Sequence, residues 1–319
     1  MNIANAPLFE RLLALSPFSV RELGTLIATA PHRYKNHYIE KRNGRGKRLI
    51  SQPTAELKFL QRLIVQREFS SLPIHDAATA YRPDRSIKAH ALPHAHARYL
   101  LKLDFSDFFP SLKETALRYR LSRDASYTEQ ELWMLCQLLC RKPKRDAELQ
   151  LSIGAPSSPY VSNYLMWEFD TRLAEFCEAC GAAYTRYADD IAVSTSFAHV
   201  LDTVEAEVRR LLGELDYLRL SLNEDKTVNV STKNRRTLVG LVLANDGAVS
   251  IGRDEKRRLR ATMHRLTQGA LTGEEIARFR GQLAFVHSID ANFVDSLCAR
   301  HNFSNVGSIG VPDGGGLTD

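Results

Sequence analysis

Asp189 and Asp190 stand side by side between two apolar runs, Ala183–Tyr187 and Ile191–Thr195. A third carboxylate, Asp104, closes another apolar run, Leu100-Leu101-Lys102-Leu103. An Asp pair between strands is by itself an ordinary polar turn, because Asp is a common turn residue. The context adds weight to a chemical reading, since apolar strands flank the pair and a further strand ends in Asp. If these strands share one sheet, Asp104 and Asp189 meet at its edge. Carboxylates converging there repel one another unless a cation sits between them. Hard oxygen donors of this kind suit Mg²⁺, with Mn²⁺ as the alternative. Two such ions about 3.5–4 Å apart clamp the attacking and leaving oxygens of a phosphoryl transfer. One lowers the pKa of a sugar hydroxyl, and the other neutralises a triphosphate leaving group.

The elements that must position these groups can be read from periodicity. Tyr99–Phe105 reads as a short apolar strand and Ser162–Cys180 as a long amphipathic helix. Ala183–Tyr187 and Ile191–Thr195 are two strands joined by Ala188-Asp189-Asp190, followed by a helix over Val200–Leu215. Lys226–Val230 and Thr237–Leu243 read as further strands. Strand, helix, strand, strand, helix, strand is the split βαβ pattern, an antiparallel sheet with helices on one face. The fold class is therefore α+β. Upstream, Ser19 caps a helix toward Ala30, and Thr54 caps one carrying Leu57, Leu60 and Ile64. Between them His37–Glu40 and Lys47–Gln52 form a hairpin, with turn chemistry in Asn43-Gly44-Arg45-Gly46. Downstream, Arg253–Gln268, Gly273–His287 and Asp290–Arg300 are helical. Asn305–Asp319, with five Gly and one Pro, reads as a disordered tail.

Composition sets the class. The chain has 319 residues, 44% hydrophobic and 25% charged, ordinary for a globular protein and unlike a disordered chain or coiled coil. No stretch approaches the roughly 18–20 apolar residues of a membrane span. Met1–Pro17 lacks the basic and apolar series of a secretory signal, and five Cys are too few for a disulfide scaffold. The expected setting is the cytoplasm, with no membrane partner. Cys136 with Cys140 and Cys177 with Cys180 lie in helices and read as buried free thiols rather than a zinc site. The net charge of +6 is unevenly spread. Residues 1–103 hold 17 basic and 7 acidic side chains, residues 104–240 hold 17 and 21, and residues 241–319 hold 9 of each.

Four segments in order carry a resemblance to reverse transcriptases. Tyr187-Ala188-Asp189-Asp190 resembles their Tyr-x-Asp-Asp box, and Leu103-Asp104-Phe105-Ser106-Asp107-Phe108-Phe109-Pro110-Ser111 their first catalytic motif. Gly154-Ala155-Pro156-Ser157-Ser158-Pro159 resembles the loop that packs under template and nucleotide, and Leu222-Asn223-Glu224-Asp225-Lys226-Thr227 the later Lys-Thr motif. Together these are specific where each alone is weak. The resemblance implies a right-hand polymerase with fingers (1–97), palm (98–244), helical thumb (245–304) and tail (305–319). It implies Asp104, Asp189 and Asp190 as catalytic metal ligands, with the backbone carbonyl of Phe105.

Other roles follow with competing structural readings. Phe109 resembles the aromatic that crowds the sugar 2′ position, or else it is a core ring beside Phe105 and Phe108. Arg48, more than Lys47, is the candidate for the triphosphate, with Gly154 beside the nucleotide. Lys226 either serves the pyrophosphate or is a solvated turn lysine. His94 either contacts RNA or is a structural histidine, and Tyr187 belongs with the nucleic-acid contacts. Arg253, Lys256, Arg257 and Arg260, with Arg258 and Arg265, stand on a helix suited to a duplex backbone.

Among compact reverse transcriptases the chain resembles the bacterial retron enzymes, to about residue 303. Arg48–Pro53 with Glu56-Leu57-Lys58, Arg85–Lys88, and Ile251-Gly252-Arg253 carry this. Three positions depart from the pattern: His90 stands for the usual Asn, Val239 for Thr and Ile153 for Gln. The resemblance implies a cognate noncoding RNA serving as template and primer, dNTP substrates, and synthesis from a 2′ hydroxyl of an internal guanosine. The product would be branched multicopy single-stranded DNA. It further implies antiphage defence with a separate effector protein. The alternatives are another small bacterial reverse transcriptase, of the diversity-generating or abortive-infection kind, or chiefly an RNA–DNA-binding scaffold restraining a toxic effector.

Overall fold

The computed structural model of the chain describes residues 3–40 and 46–310. They fall into two units, Met1–Ser86 with Tyr99–Asn229, and Ile87–Arg98 with Val230–Asp319. Among the described residues no helix is long and apolar enough to cross a membrane.

The main sheet has four strands, the last of which begins at the end of the first unit. β1 (Tyr34–Glu40) and β2 (Lys47–Pro53) form a separate antiparallel ribbon, with Glu40 opposite Lys47. The Asn43–Arg45 part of the turn expected between them lies outside the described residues. β3 (Tyr99–Asp104), β4 (Ala183–Tyr187), β5 (Asp190–Thr195) and β6 (Val228–Ser231) line up in the order β4-β5-β3-β6. β5 runs antiparallel to both β3 and β4. That order is what the split βαβ pattern produces.

Side chains alternate across a strand. Leu101, Leu103, Ile191 and Val193 therefore face one side, where helices Trp167–Ala179 and Val200–Glu214 cover them with Phe169, Leu173, Val204 and Val208. Each is almost fully buried, worth about 1.5–3 kcal/mol apiece. Lys102 and Asp104 stand on the opposite side. Two helices of this unit start in capping boxes. Ser19 and Glu22 form a capping box at the start of Val20–Thr29. Thr128 and Glu131 form another at Glu129–Leu139, and Glu131 also accepts the Leu8 N–H at 2.9 Å.

Two elements in this unit differ from expectation. The helix expected over residues 162–180 is two helices, Ser158–Leu165 and Trp167–Ala179, meeting at Met166 with φ −79° and ψ −3°. Tyr164, Leu165, Met166 and Phe169 are all fully buried, so apolar periodicity runs through the bend and hides it. The strand expected from Lys226 begins at Val228, because Glu224–Lys226 forms a 3-10 turn.

In the second unit, helix Ile87–Ala91 and a 3-10 turn at Leu92–His94 accompany a small sheet and three helices. The single strand expected over Thr237–Leu243 is a hairpin of β7 (Arg236–Leu238) and β8 (Leu241–Leu243). The chain turns at Val239 and Gly240, both with positive φ. β9 (Val249–Ser250) completes the sheet. Arg236 is 2% exposed and its guanidinium donates to the carbonyls of Ala95, Ala97 and Ala244. Helices Arg253–Thr267, Gly273–His287 and Ala291–Ala299 bury Leu259, Met263, Phe279, Leu283 and Leu297. The expected disordered tail does not begin at 305. Asn305 caps a 3-10 turn over Val306–Ser308, and Ile309 is fully buried. Residues 311–319 lie outside the described residues. All five cysteines are free, and four are buried.

Glu131→Ala removes a cap acceptor and strands the Leu8 N–H. It is expected to lower unfolding stability by about 1–3 kcal/mol, read as a shift in the urea midpoint.

Candidate active site

The Asp189-Asp190 turn is held from below. Tyr187 pairs with Asp190 across β4 and β5, leaving Ala188 and Asp189 as the connection. Ala188 sits at φ +58°, a conformation L residues rarely adopt. Arg186, fully buried, braces that carbonyl through a 2.9 Å bond from its Nη1 to Ala188 O. The same guanidinium is bidentate to Asp170, Nε at 2.8 Å and Nη2 at 2.6 Å. Asp170 is equally buried and also accepts the Tyr184 hydroxyl at 2.7 Å. Asn163 Oδ1 accepts from Arg186 at 3.3 Å. The Arg186 backbone pairs with Ala77 and Thr79, which carries the 77–80 segment to the turn.

Three carboxylates come to one end of the sheet. Asp104 lies opposite Asp190 in the β3–β5 register, and the Phe105 N–H donates to the Asp189 carbonyl at 3.1 Å. The Asp104 carbonyl accepts the Asn223 N–H at 2.7 Å, which brings in the segment that carries Lys226. Lys226 Nζ lies 2.7 Å from Asp104 Oδ1. Burial pushes Asp190 up to about 7, with the charges of Asp189 and Asp104 adding to it. Burial raises Asp189 too; Asp104 adds, while Lys226 and Arg48 oppose.

Among the described residues no three or more acidic, imidazole or thiolate groups make a self-contained metal cage. The donor set still fits a Mg²⁺ site of polymerase type. Such a site uses one or two carboxylates and takes its remaining ligands from water and substrate phosphates.

A cavity of about 350 Å³ is lined by Lys58, Arg62, Tyr81, Phe109, Gly154 and Pro156, among others. Gly154, at φ +113°, is where the 152–154 loop touches β2. A Cβ there would lie 3.0 Å from Ile50 and 3.1 Å from the Ser51 carbonyl. Ser51 N–H donates to Ile153 O at 2.7 Å, and Ser152 Oγ to Ser51 O at 3.0 Å. Ile153 thus contributes its backbone to the ribbon joint, where the family's Gln would offer a side chain. Arg48 is exposed on β2 yet acts electrostatically on Asp189 and Tyr81. Lys47 is exposed at the β2 start, opposite Glu40.

The remaining candidates divide. Tyr187 is half-buried beside the turn. His94 is fully buried near His90, ring centroids 6.0 Å apart, and burial pushes its imidazole down to about 3. It is neutral and offers RNA no exposed face, which favours the structural reading. Lys256 pairs with Asp290 at 2.6 Å and lies over the Phe293 ring, so it joins two helices. Arg260 shares that ring at 5.2 Å, while Arg253 and Arg257 are exposed. Reasoning from sequence missed Arg186, Asp170, Asn163, Tyr81 and Arg62. An arginine inside an apolar strand, with Asn163 and Asp170 seven apart on helical spacing, was the available signal.

Comparisons with known proteins agree with this geometry. Residues 39–243 match the family described as reverse transcriptase (RNA-dependent DNA polymerase). The chain is 34% identical over 279 residues to the Retron Ec83 reverse transcriptase of Escherichia coli, covering 86% of this chain and 89% of that one. It is 31% identical to the Retron Ec73 reverse transcriptase of the same species, covering 85% and 88%. It is also 31% identical to the Retron Mx162 reverse transcriptase of Myxococcus xanthus, covering 83% and 59%. Among solved structures, an apo telomerase from Candida tropicalis is similar, with 14% identity and a TM-score of 0.50. That match covers 84% of this chain and 58% of the telomerase, and it supports the right-hand polymerase fold alone.

Two outcomes are expected from the geometry. Asp170→Asn leaves the Arg186 charge buried without its counter-charge and should cost about 3–5 kcal/mol, measured by urea denaturation. The second concerns pH. Folded Asp190 keeps its proton up to about 7, whereas the unfolded carboxyl loses it near the ordinary value. The folded state therefore binds more protons between those values, and in chelator stability should fall as pH rises from about 4 to 7. Asp190→Asn should flatten that slope in urea midpoints taken across this range.

Proposed function

The chain belongs to the reverse transcriptase family, as a retron-type RNA-directed DNA polymerase, and we propose that it copies a cognate noncoding RNA that is both template and primer. Synthesis starts at the 2′ hydroxyl of an internal guanosine and yields a branched RNA–DNA hybrid, multicopy single-stranded DNA. The observation that supports the polymerase chemistry is the convergence of Asp104, Asp189 and Asp190 at one sheet end, with Lys226 on Asp104, and the similarity to retron reverse transcriptases supports the RNA partner.

In this proposal Asp104, Asp189, Asp190 and the Phe105 carbonyl hold two Mg²⁺ ions, Mn²⁺ being able to replace them. When bound, the ions supply Lewis acidity at the attacking hydroxyl and charge neutralisation at the leaving group. The chain's own groups do the rest. The sheet edge fixes the carboxylates so that nothing reorganises when negative charge builds up. Arg48, with Lys47 nearby, binds triphosphate oxygens, for which a guanidinium fork is suited. Lys226 turns from Asp104 toward the departing pyrophosphate, where its ammonium donates a proton or neutralises charge. Phe109 stands against the sugar 2′ position and excludes ribonucleotides. Gly154 and its loop carry the nucleotide and template floor.

At the larger scale, residues 1–97 are fingers, 98–244 palm and 245–304 thumb. Arg253, Arg257 and Arg260 follow the phosphates of the primer–template duplex. The setting is the cytoplasm, and the role is antiphage defence with a separate effector protein.

The test is to purify the chain from its host and sequence the bound nucleic acid. A branched RNA–DNA molecule is expected, and an absence of bound nucleic acid, or an unbranched product, would overturn the priming scheme. Asp104→Asn and Asp189→Asn should each reduce cDNA by roughly a thousandfold or more while RNA still co-purifies, in line with losing charge stabilisation at the reacting centre.

A further inference from the structure

Tyr81 sits at φ +63°. For a bulky aromatic residue this is a true outlier, costing of order 1–3 kcal/mol, and it persists only where neighbours over-determine it. Here they do. Thr79 donates to the Arg186 carbonyl twice, from its N–H at 2.8 Å and its hydroxyl at 2.9 Å. Asn163 Nδ2 donates to the Ala80 carbonyl at 2.9 Å. On the other side the Arg82 carbonyl accepts the Arg85 N–H at 3.2 Å, while the Arg82 guanidinium donates to the His75 carbonyl and to Asp76, each at 3.3 Å. The chain is pinned immediately before and after Tyr81, so the strained residue has little freedom.

The ring held this way does not fill a core. It is 48% exposed and forms part of the wall of the 350 Å³ cavity. Its centroid lies 6.3 Å from that of Phe109, tilted 48°. Phe109 also meets Phe108 edge-on at 5.4 Å, and Phe108 stacks on Phe105 at 5.7 Å. Phe109 thus has one aromatic neighbour anchored in the core and a second supplied by the strained loop. Burial and the nearby Asp189 charge push the Tyr81 phenol up to about 12, so it is neutral at working pH.

We propose that Tyr81 is a positioning residue for sugar discrimination, its ring restraining Phe109 against the 2′ position of the incoming nucleotide. A steric gate excludes only while it is stiff. Phe109 is only half-buried at the margin of the core, so without a neighbour on its open side it yields to a hydroxyl at less cost. The backbone strain at Tyr81 is what aims the ring. The inference rests on the reading of Phe109 as the gate.

The test compares kcat/KM for dNTP and rNTP in primer extension with wild type, Tyr81→Gly, Tyr81→Phe, Phe109→Ala and the double variant. Glycine takes φ +63° without strain, so Tyr81→Gly removes the ring while relieving the backbone, and its folding is checked by thermal melting. Tyr81→Gly should lower dNTP-over-rNTP selectivity by roughly tenfold, the low end of what a small change of pocket space is worth. The change should enter through a higher rNTP kcat/KM, a gain that mere structural damage does not give. Tyr81→Phe should keep wild-type selectivity, and the double variant should be no less selective than Phe109→Ala alone. If Phe109→Ala relaxes selectivity and Tyr81→Gly does not, the inference falls and the gate stands. If Phe109→Ala leaves selectivity unchanged, the gate reading falls and the inference with it.

Discussion

The site hangs on a charge pair that water does not reach. Arg186 and Asp170 are both fully buried, and a buried pair is costly to assemble because each ion is stripped of its hydration. Their neighbours show what the pair accomplishes. One guanidinium reaches Asp170, the Asn163 side chain and the Ala188 carbonyl, while the Arg186 backbone pairs with the 77–80 segment. Two helices, a strand, a loop and a turn are thereby referred to a single side chain. An apolar residue of similar volume would pack, but it would leave the Ala188 carbonyl without that donor. Since Ala188 is the residue held at positive φ, losing its brace would release the turn that aims Asp189 and Asp190.

That rigidity is needed because the carboxylates oppose their own arrangement. Asp104 faces Asp190 across the sheet, and burial with mutual repulsion raises Asp189 and Asp190. A flexible turn would relax by separating them. A braced turn cannot, so the stress is met by charge instead, here by the Lys226 ammonium on Asp104. Lys226 arrives there because the Asp104 carbonyl accepts Asn223 N–H, fixing the start of the segment that carries it. Backbone hydrogen bonding therefore sets the electrostatics, and the electrostatics create the demand for cations.

Much of this was legible in the sequence, for identifiable reasons. The three carboxylates could be found because each ends or joins an apolar strand, and strand periodicity survives in a single chain. The strand order followed from the split βαβ pattern. What stayed hidden was whatever did not change a local pattern. The bend at Met166 preserves apolar spacing, so two helices read as one. The turn at Val239 uses a β-branched residue at positive φ, which sequence rules assign to a strand. The Gly-rich composition after 305 concealed a single anchor, Ile309. Arg186 looked like an ordinary strand residue, because its partner Asp170 lies sixteen positions away on a helix whose axis the sequence did not give.

Charge counting shows the same limit from another side. The first third of the chain carries an excess of ten positive charges, but some of its basic side chains are used internally. Arg11 is taken by Glu68, and Arg82 and Arg85 by Asp76 and Asp84. Lys58 and Arg62 instead line the cavity that holds Phe109, and Arg48 acts on Asp189. In helix Arg253–Thr267, Lys256, Arg258 and Arg265 pair with Asp290, Glu255 and Glu275, while Arg253 and Arg257 are exposed and in none of these pairs. A composition total gives every cation equal weight. An anionic polymer responds only to those that protein carboxylates have not already neutralised, and it responds to their spacing. The relevant quantity for binding is therefore the set of cations left over after folding. In the first unit part of that set stands around the cavity beside Phe109.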